Sequence, residues 1–226
     1  MNDHSRTIRS FVTRAGRITE AQQRALRQLW PKYGIDLQPG PLDLQNIFGR
    51  AAPCSVEIGF GNGENLIELA AAHADRDYLG IEVHRSGVGR VLLAAEERRL
   101  ANIRVICHDA VEVLERAVAP QALDEVLILF PDPWPKKRHH KRRLVQESFV
   151  ALLADRLRPA GRLRLATDWE AYAQAMLAVL AAEPRLRNEA PGGEFAPRPA
   201  ERPPTRFEQR GERLGHGVWD LSFRRI

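Results

Sequence analysis

The stretch CSVEIGFGNGENLIELAAAHADRDYLGIEV, residues 54–83, decides the fold. It opens on a short apolar run, CSVEIGF, and passes through a cluster of glycines. Apolar residues then recur at helical spacing in GENLIELAAAHA, and a second short apolar run, DYLGIEV, closes the stretch. A buried strand, a tight turn, a helix and another buried strand account for this order. Continuous apolar strands separated by helices belong to a parallel sheet covered on both faces.

The pattern continues downstream. RSGVGRVLLAAEERRL (85–100) reads as a helix, and NIRVICHDA (102–110) and DEVLILF (124–130) read as strands. RLVQESFVALLADRL (143–157) is a helix stopped by Pro159, GRLRLATD (161–168) a fifth strand, and WEAYAQAMLAVLAAE (169–183) a helix ended by Pro184. Six of the 21 residues 184–204 are proline, which predicts a loop or a mobile lid. TRFEQRGERLGHGVWDLSFRR (205–225) has strand-like ends around a glycine-containing turn and predicts a terminal antiparallel hairpin. The expected architecture is α/β: a doubly wound, mostly parallel, Rossmann-like sheet. Residues 1–40 form a basic arm ahead of a single domain, 41–226, that contains the proline-rich loop.

Charge is unevenly placed. The chain of 226 residues carries a formal net charge of +5, and residues 136–143 alone hold six Lys or Arg. Residues 1–32 add seven Lys or Arg against two acids, so the rest of the chain is net acidic. Concentrated positive charge points to a polyanionic partner rather than to general solubility. Cys54 and Cys107 lie far apart without metal-ligand spacing, as expected of reduced, buried thiols in the cytoplasm. The N-terminus lacks the apolar core of a signal peptide, and no run of 18 apolar residues predicts a membrane span.

In a doubly wound sheet, ligands bind beyond the carboxyl ends of the strands. The first strand ends in VEIGFGNGENL, where Gly59, Gly61 and Gly63 let the backbone turn sharply and approach a ligand. A dinucleotide fingerprint needs glycine at position 64, where this chain has Glu64. Glu57 and Glu64 both repel a pyrophosphate, so a cofactor without phosphates fits better. The second strand ends at Glu82, 19 residues after Gly63, where a carboxylate can accept from both ribose hydroxyls. The third ends at Asp109, placed to accept from an adenine amino group. The fourth runs into FPDPWPKKRHHKRR (130–143), which sets the lone Asp132 between Pro131 and Pro133, beside the densest positive charge in the chain. His139 and His140 lie in that run without acidic or cysteine companions, so phosphate contact or simple exposure is expected, not metal ligation. Trp134 either stacks on a base or packs beneath the basic loop.

With these strand ends, the chain resembles the bacterial tRNA (guanine-N(7)-)-methyltransferase family over almost its whole length. IRSFVTRAGRITEAQQRAL looks like the family's N-terminal arm, VEIGFGNGENL its cofactor loop and TRFEQRGERLGHGVWDL its C-terminal signature, with PDPWPKKRHHKRR between them. The resemblance implies a class I fold using S-adenosylmethionine and methylation of guanine N7 in the tRNA variable loop, at position 46. It implies that Glu57, Glu82, Asp109 and Asp132 line the cofactor side. Lys136, Asp168, Thr205, Arg206, Phe207 and Glu208 would meet the substrate. Arg138, His139, His140, Lys141, Arg142 and Arg143 would touch RNA, with no obligatory protein partner. The arm, with Arg6, Arg9, Arg14 and Arg17, either adds RNA contacts or orders when tRNA binds.

Guanine N7 carries an in-plane lone pair and no proton, so its methylation needs positioning and charge stabilisation rather than a base. Asp132 is the candidate catalytic group. Asp132, Asp168 and Glu208 are rivals for the amino and imino edge of guanine. Two other readings share parts of this pattern. A methyltransferase acting on an exocyclic amine or a protein side chain would keep the cofactor half. A non-catalytic RNA-binding protein would keep the basic loop without needing Glu82, Asp109 and Asp132.

Overall fold

Thr19 starts the first helix with a reciprocal cap: its hydroxyl accepts from Gln22 N (3.2 Å), and its own N–H donates to Gln22 Oε1 (2.9 Å). The computed structural model describes residues 10–11, 18–38, 40–200, 202, 208 and 217–226. Thr205, Arg206, Phe207, Arg6, Arg9, Arg14 and Arg17 fall outside these. The capped helix, α1 (Glu20–Gln28), is followed by the short α2 (Trp30–Tyr33) and α3 (Leu44–Phe48). Ala25 and Tyr33 are buried, and the Tyr33 hydroxyl donates to Glu96 (2.7 Å). Residues 20–35, read from composition as part of the basic arm, are therefore built into the body. Their cationic side chains face out while a narrow apolar stripe faces in, and a count of charges cannot separate those faces.

Next come β1 (Cys54–Ile58), α4 (Glu64–Ala72), β2 (Asp77–Ile81), α5 (Arg85–Glu97), β3 (Ile103–Ile106), α6 (Ala110–Ala117) and β4 (Leu123–Leu129). A 3-10 helix over Lys137–Arg142 precedes α7 (Glu147–Arg156), β5 (Leu157–Thr167), α8 (Glu170–Ala182), β6 (Leu186–Asn188) and β7 (Trp219–Arg225). The seven-stranded sheet has the order β3-β2-β1-β4-β5-β7-β6. The first five strands are parallel, while β7 runs antiparallel to both β5 and β6. Every residue of β1 and β2 is buried, as central parallel strands require. α6, α7 and α8 cover one face around Val113, Leu153 and Tyr172. α1, α4 and α5 cover the other around Ala25, Leu66 and Val91. Among the described residues, no helix is long and apolar enough to cross a membrane.

The antiparallel edge takes its short strand from inside the proline-rich segment. Leu186, Arg187 and Asn188 pair with Arg225, Arg224 and Phe223, and Ala196 bridges to Asp220. The prolines flank these three residues without removing the N–H groups that the ladder uses, so proline density alone overstated the loop.

The strand order reverses between β1 and β4, and here the glycine turn opens a crevice. Gly63 holds a left-handed φ of 75° at the start of α4, and a Cβ there would lie 2.0 Å from Val91 Cγ2. Gly87 on α5 lets that helix pass the turn, since a Cβ would lie 2.0 Å from the Gly61 carbonyl oxygen. Turn and helix are packed too closely for any side chain at either position.

Candidate active site

A cavity of about 340 Å³ lies at the carboxyl ends of β1 to β4. Its lining brings together Glu57, Gly59, Gly61, Gly63, Glu82, Asp109 and Asp132, residues drawn from four strand ends. The walls also carry Glu64 and the apolar Phe60, Ile81, Val83 and Leu129. Five carboxylates and no Lys or Arg line it among the described residues. Such a field repels phosphates and attracts a cation, while the apolar walls suit an aromatic ring. The donor set therefore fits a positively charged nucleoside without phosphates.

Each acid is held differently. Glu82 accepts three backbone N–H groups: Val83 (2.7 Å) and His84 (2.9 Å) on Oε1, and Gly61 (2.9 Å) on Oε2. It thus fastens the glycine turn to the second strand while still facing the cavity. Asp109 caps α6, its Oδ1 accepting from Val111 N (2.9 Å), which leaves Oδ2 for a ligand. Glu57 is buried and accepts from Asn65 Nδ2 (2.8 Å). Asn65 is itself buried, and its Oδ1 has no partner. An acceptor left over beside a carboxylate suits a ligand that brings several N–H donors.

Burial raises the Glu57 carboxyl to about 7; the Asn65 hydrogen bond opposes this and the Glu82 charge adds to it. Because the folded value lies above the unfolded one, folding retains a proton on Glu57 between about 4.5 and 7. Its contribution to stability is complete below that window and is lost as pH rises through it. Glu57→Gln should therefore gain stability relative to the parent between pH 5 and pH 8 in urea unfolding. Parallel pH profiles for the two proteins would refute a buried, proton-holding Glu57.

Asp132 is exposed at the mouth of this cavity on a strained loop. Phe130 (φ 52°) and Trp134 (φ 43°) are both left-handed, a conformation costing bulky residues roughly 1–3 kcal/mol each. Several contacts hold it. Phe130 N donates to Ala166 O (2.8 Å), and Arg143 Nε donates to Pro133 O (2.8 Å). The Trp134 indole N–H donates to Ser10 O (3.1 Å), with the Arg142 guanidinium 4.1 Å over its ring and His139 against its edge at 5.8 Å. Trp134 thus packs beneath the basic loop rather than awaiting a base.

The basic run divides into two groups. Lys136, Lys137, Arg138 and Lys141 are exposed on and beside the 3-10 helix. Arg143, expected to touch RNA, is 7 % exposed and lies 4.6 Å over the Tyr172 ring, so it supports the loop from inside. His139 and His140 are half-buried. Asp168 follows β5 at its carboxyl end. Glu208 is buried in a cluster with Arg202 (2.9 Å), Arg198 (3.0 Å) and, through Arg202, Asp220, and Arg202 lies 5.7 Å over the ring of the cavity-lining Phe130. A sequence motif reports its residues but not the ion pairs that turn them inward. Sequence reasoning does not single out Asn65, Arg202 or Tyr172, whose partners Glu57, Glu208 and Arg143 are set by the fold. Only Asn65, one turn into the helix after the glycine turn, left a positional cue.

A family model described as "Putative methyltransferase" matches residues 51–221. Two crystal structures share the fold at low identity. An aminoglycoside resistance methyltransferase, NpmB1, superposes with a TM-score of 0.57 at 16 % identity, covering 84 % of this chain and 95 % of its own. A 16S rRNA (adenine(1408)-N(1))-methyltransferase from Catenulisporales acidiphilia, solved with S-adenosylmethionine, gives 0.56 at 15 %, covering 85 % and 93 %. The sheet is thus that of class I methyltransferases. A tRNA (guanine-N(7)-)-methyltransferase from Leifsonia xyli is 60 % identical over 96 % of this chain and 95 % of its own length. One from Stutzerimonas stutzeri is 55 % identical over 98 % and 93 %. At that identity over nearly the full length of each, the chain belongs to the tRNA (guanine-N(7)-)-methyltransferase family.

Proposed function

We propose that the protein methylates N7 of a guanine in tRNA, at position 46 of the variable loop, using S-adenosylmethionine. One observation carries this reading: a carboxylate-lined cavity that rejects phosphates opens beside Asp132, directly against a basic helix that attracts them. S-adenosylmethionine, when bound, supplies a methyl group on a positively charged sulfur. Glu82 and Asp109 offer acceptors to the ribose and adenine, and Glu57 with Asn65 offers acceptors to the ammonium group. Asp132 holds a fixed negative charge where the methylated base becomes cationic, and no residue need remove a proton from N7. Lys136, Arg138 and Lys141 meet the backbone, while Asp168 faces the base.

Incubating the protein with tRNA and a labelled methyl donor should give 7-methylguanosine as the labelled nucleoside. Label in a methylated amine, in protein, or nowhere would refute the reading. Replacing Lys137, Arg138 and Lys141 together by Ala should flatten the salt dependence of tRNA binding, by ~0.7–0.9 in logarithmic slope per lost phosphate contact. Arg143→Ala should instead lower thermal stability with little change in that slope. An unchanged slope in the triple variant would make the basic helix a solvated face.

A further inference from the structure

Trp169 has no task in the site as described so far. It directly follows Asp168 and occupies the residue before α8, where Ser, Thr, Asp or Asn stabilises a helix, yet it makes no side-chain cap. It is 37 % exposed, one of three large hydrophobic side chains exposed among the described residues. The other two, Leu93 on α5 and Ile226 at the C-terminus, lie on other elements, so no continuous apolar patch suggests a protein partner. Trp134 spends its indole N–H and ring face on Ser10 and Arg142. Trp169 has no such side-chain partner among the described residues.

Sheet register brings the segment that carries Trp169 next to the segment that carries Asp132. Leu129 of β4 pairs with Ala166 of β5, and Asp132 and Trp169 each lie three residues past that pair, on the segments that leave these two adjacent parallel strands. Burial raises the Tyr172 hydroxyl to about 12 and the Asp132 charge adds a smaller push, one turn into the helix that Trp169 precedes. The Trp169 carbonyl accepts from Tyr172 N and Ala173 N (both 2.9 Å), so its backbone is fixed at the head of α8. An exposed ring on a fixed backbone between acidic groups suits one planar, polar base.

We infer that Trp169 is the platform on which the target guanine stacks. This rests on the proposed function and assigns it a substrate-binding residue. Stacking accepts any base, but methylation makes guanine a cation, and indole is the aromatic face that binds cations best. The contact therefore strengthens as charge develops, aiding transfer as well as binding. The test compares Trp169→Ala and Trp169→Phe with the parent chain in methylation of unmodified tRNA. Trp169→Ala should lower kcat/KM for tRNA by roughly 10- to 100-fold, with cofactor affinity and melting temperature held. Trp169→Phe, which keeps a ring, should recover most of the loss. tRNA should quench the parent's indole emission more than that of the Phe variant. A kcat/KM in the Ala variant equal to the parent's would overturn the inference, as would a Phe variant as defective as Ala. Transfer to tRNA absent from the parent chain itself would overturn the proposed function, and the stacking role with it.

Discussion

Asp132→Asn should slow methyl transfer by ~10²–10³-fold, or ~2.7–4 kcal/mol, in single turnover with saturating tRNA and cofactor. The substitution keeps the shape and one acceptor but removes the negative charge facing the forming cation. The loop geometry explains why this group is hard to replace. Two left-handed aromatic residues and two prolines fix the chain around Asp132, and Arg143, Ala166 and Ser10 hold the loop on separate sides. Strain of this kind persists only where the surroundings over-determine it, which is how a carboxylate is held ready before the substrate arrives. Cofactor affinity should change far less, because the exposed carboxylate stands at the cavity mouth, where the proposed reaction puts the base. A near-normal rate would remove the electrostatic role. A loss confined to tRNA binding would move Asp132 from catalysis to recognition.

Glu82→Ala should weaken S-adenosylmethionine binding by roughly 10- to 100-fold, and it should also destabilise the fold. The ribose loses a charged acceptor, a contact contributing about 1.5–3 kcal/mol. The N–H groups of Gly61, Val83 and His84 lose theirs as well. Donors left without partners in a largely buried site cost about 1–3 kcal/mol each, so the glycine turn should loosen. Glu82→Gln keeps the shape and one acceptor oxygen and should fall between the two. Calorimetric titration with S-adenosylmethionine, paired with urea unfolding, separates the effects. Unchanged affinity in a folded Ala variant would contradict the site. Weakened binding at full stability would mean that the three backbone contacts matter little.

The sheet was legible because its evidence is redundant. Continuous apolar runs and period-3.6 patterns each spanned whole elements in residues 54–183, and glycine or proline marked several of their ends. The carboxylates were legible one at a time, since each stands at the end of a readable strand. Their division of labour was not. Glu82 reads in sequence as a ribose acceptor, but its three backbone bonds depend on how the strand end folds back on the glycine turn. Arg143 reads as one more cation in a basic run, though the aromatic face of Tyr172, 29 residues on, draws it inward. Glu208 is oriented by Arg198 and Arg202, long-range or loop-borne partners without periodicity. Trp169 was hidden by its neighbours. In WEAYAQAML it looks like the first apolar residue of a helix, and only the register beside Asp132 gives it another meaning.

Locating the methyl group on the RNA decides whether guanine N7 is the acceptor. Unmodified tRNA is incubated with the protein and S-adenosylmethionine, then reduced and cleaved under conditions that break the chain at N7-methylated guanine. One new scission is expected, at position 46 of the variable loop, present with the parent protein and nearly absent with Asp132→Asn. Scission elsewhere would correct the position. Methyl transfer without scission at any guanine would contradict N7 as the acceptor, and with it the reading of a site that needs charge but no base.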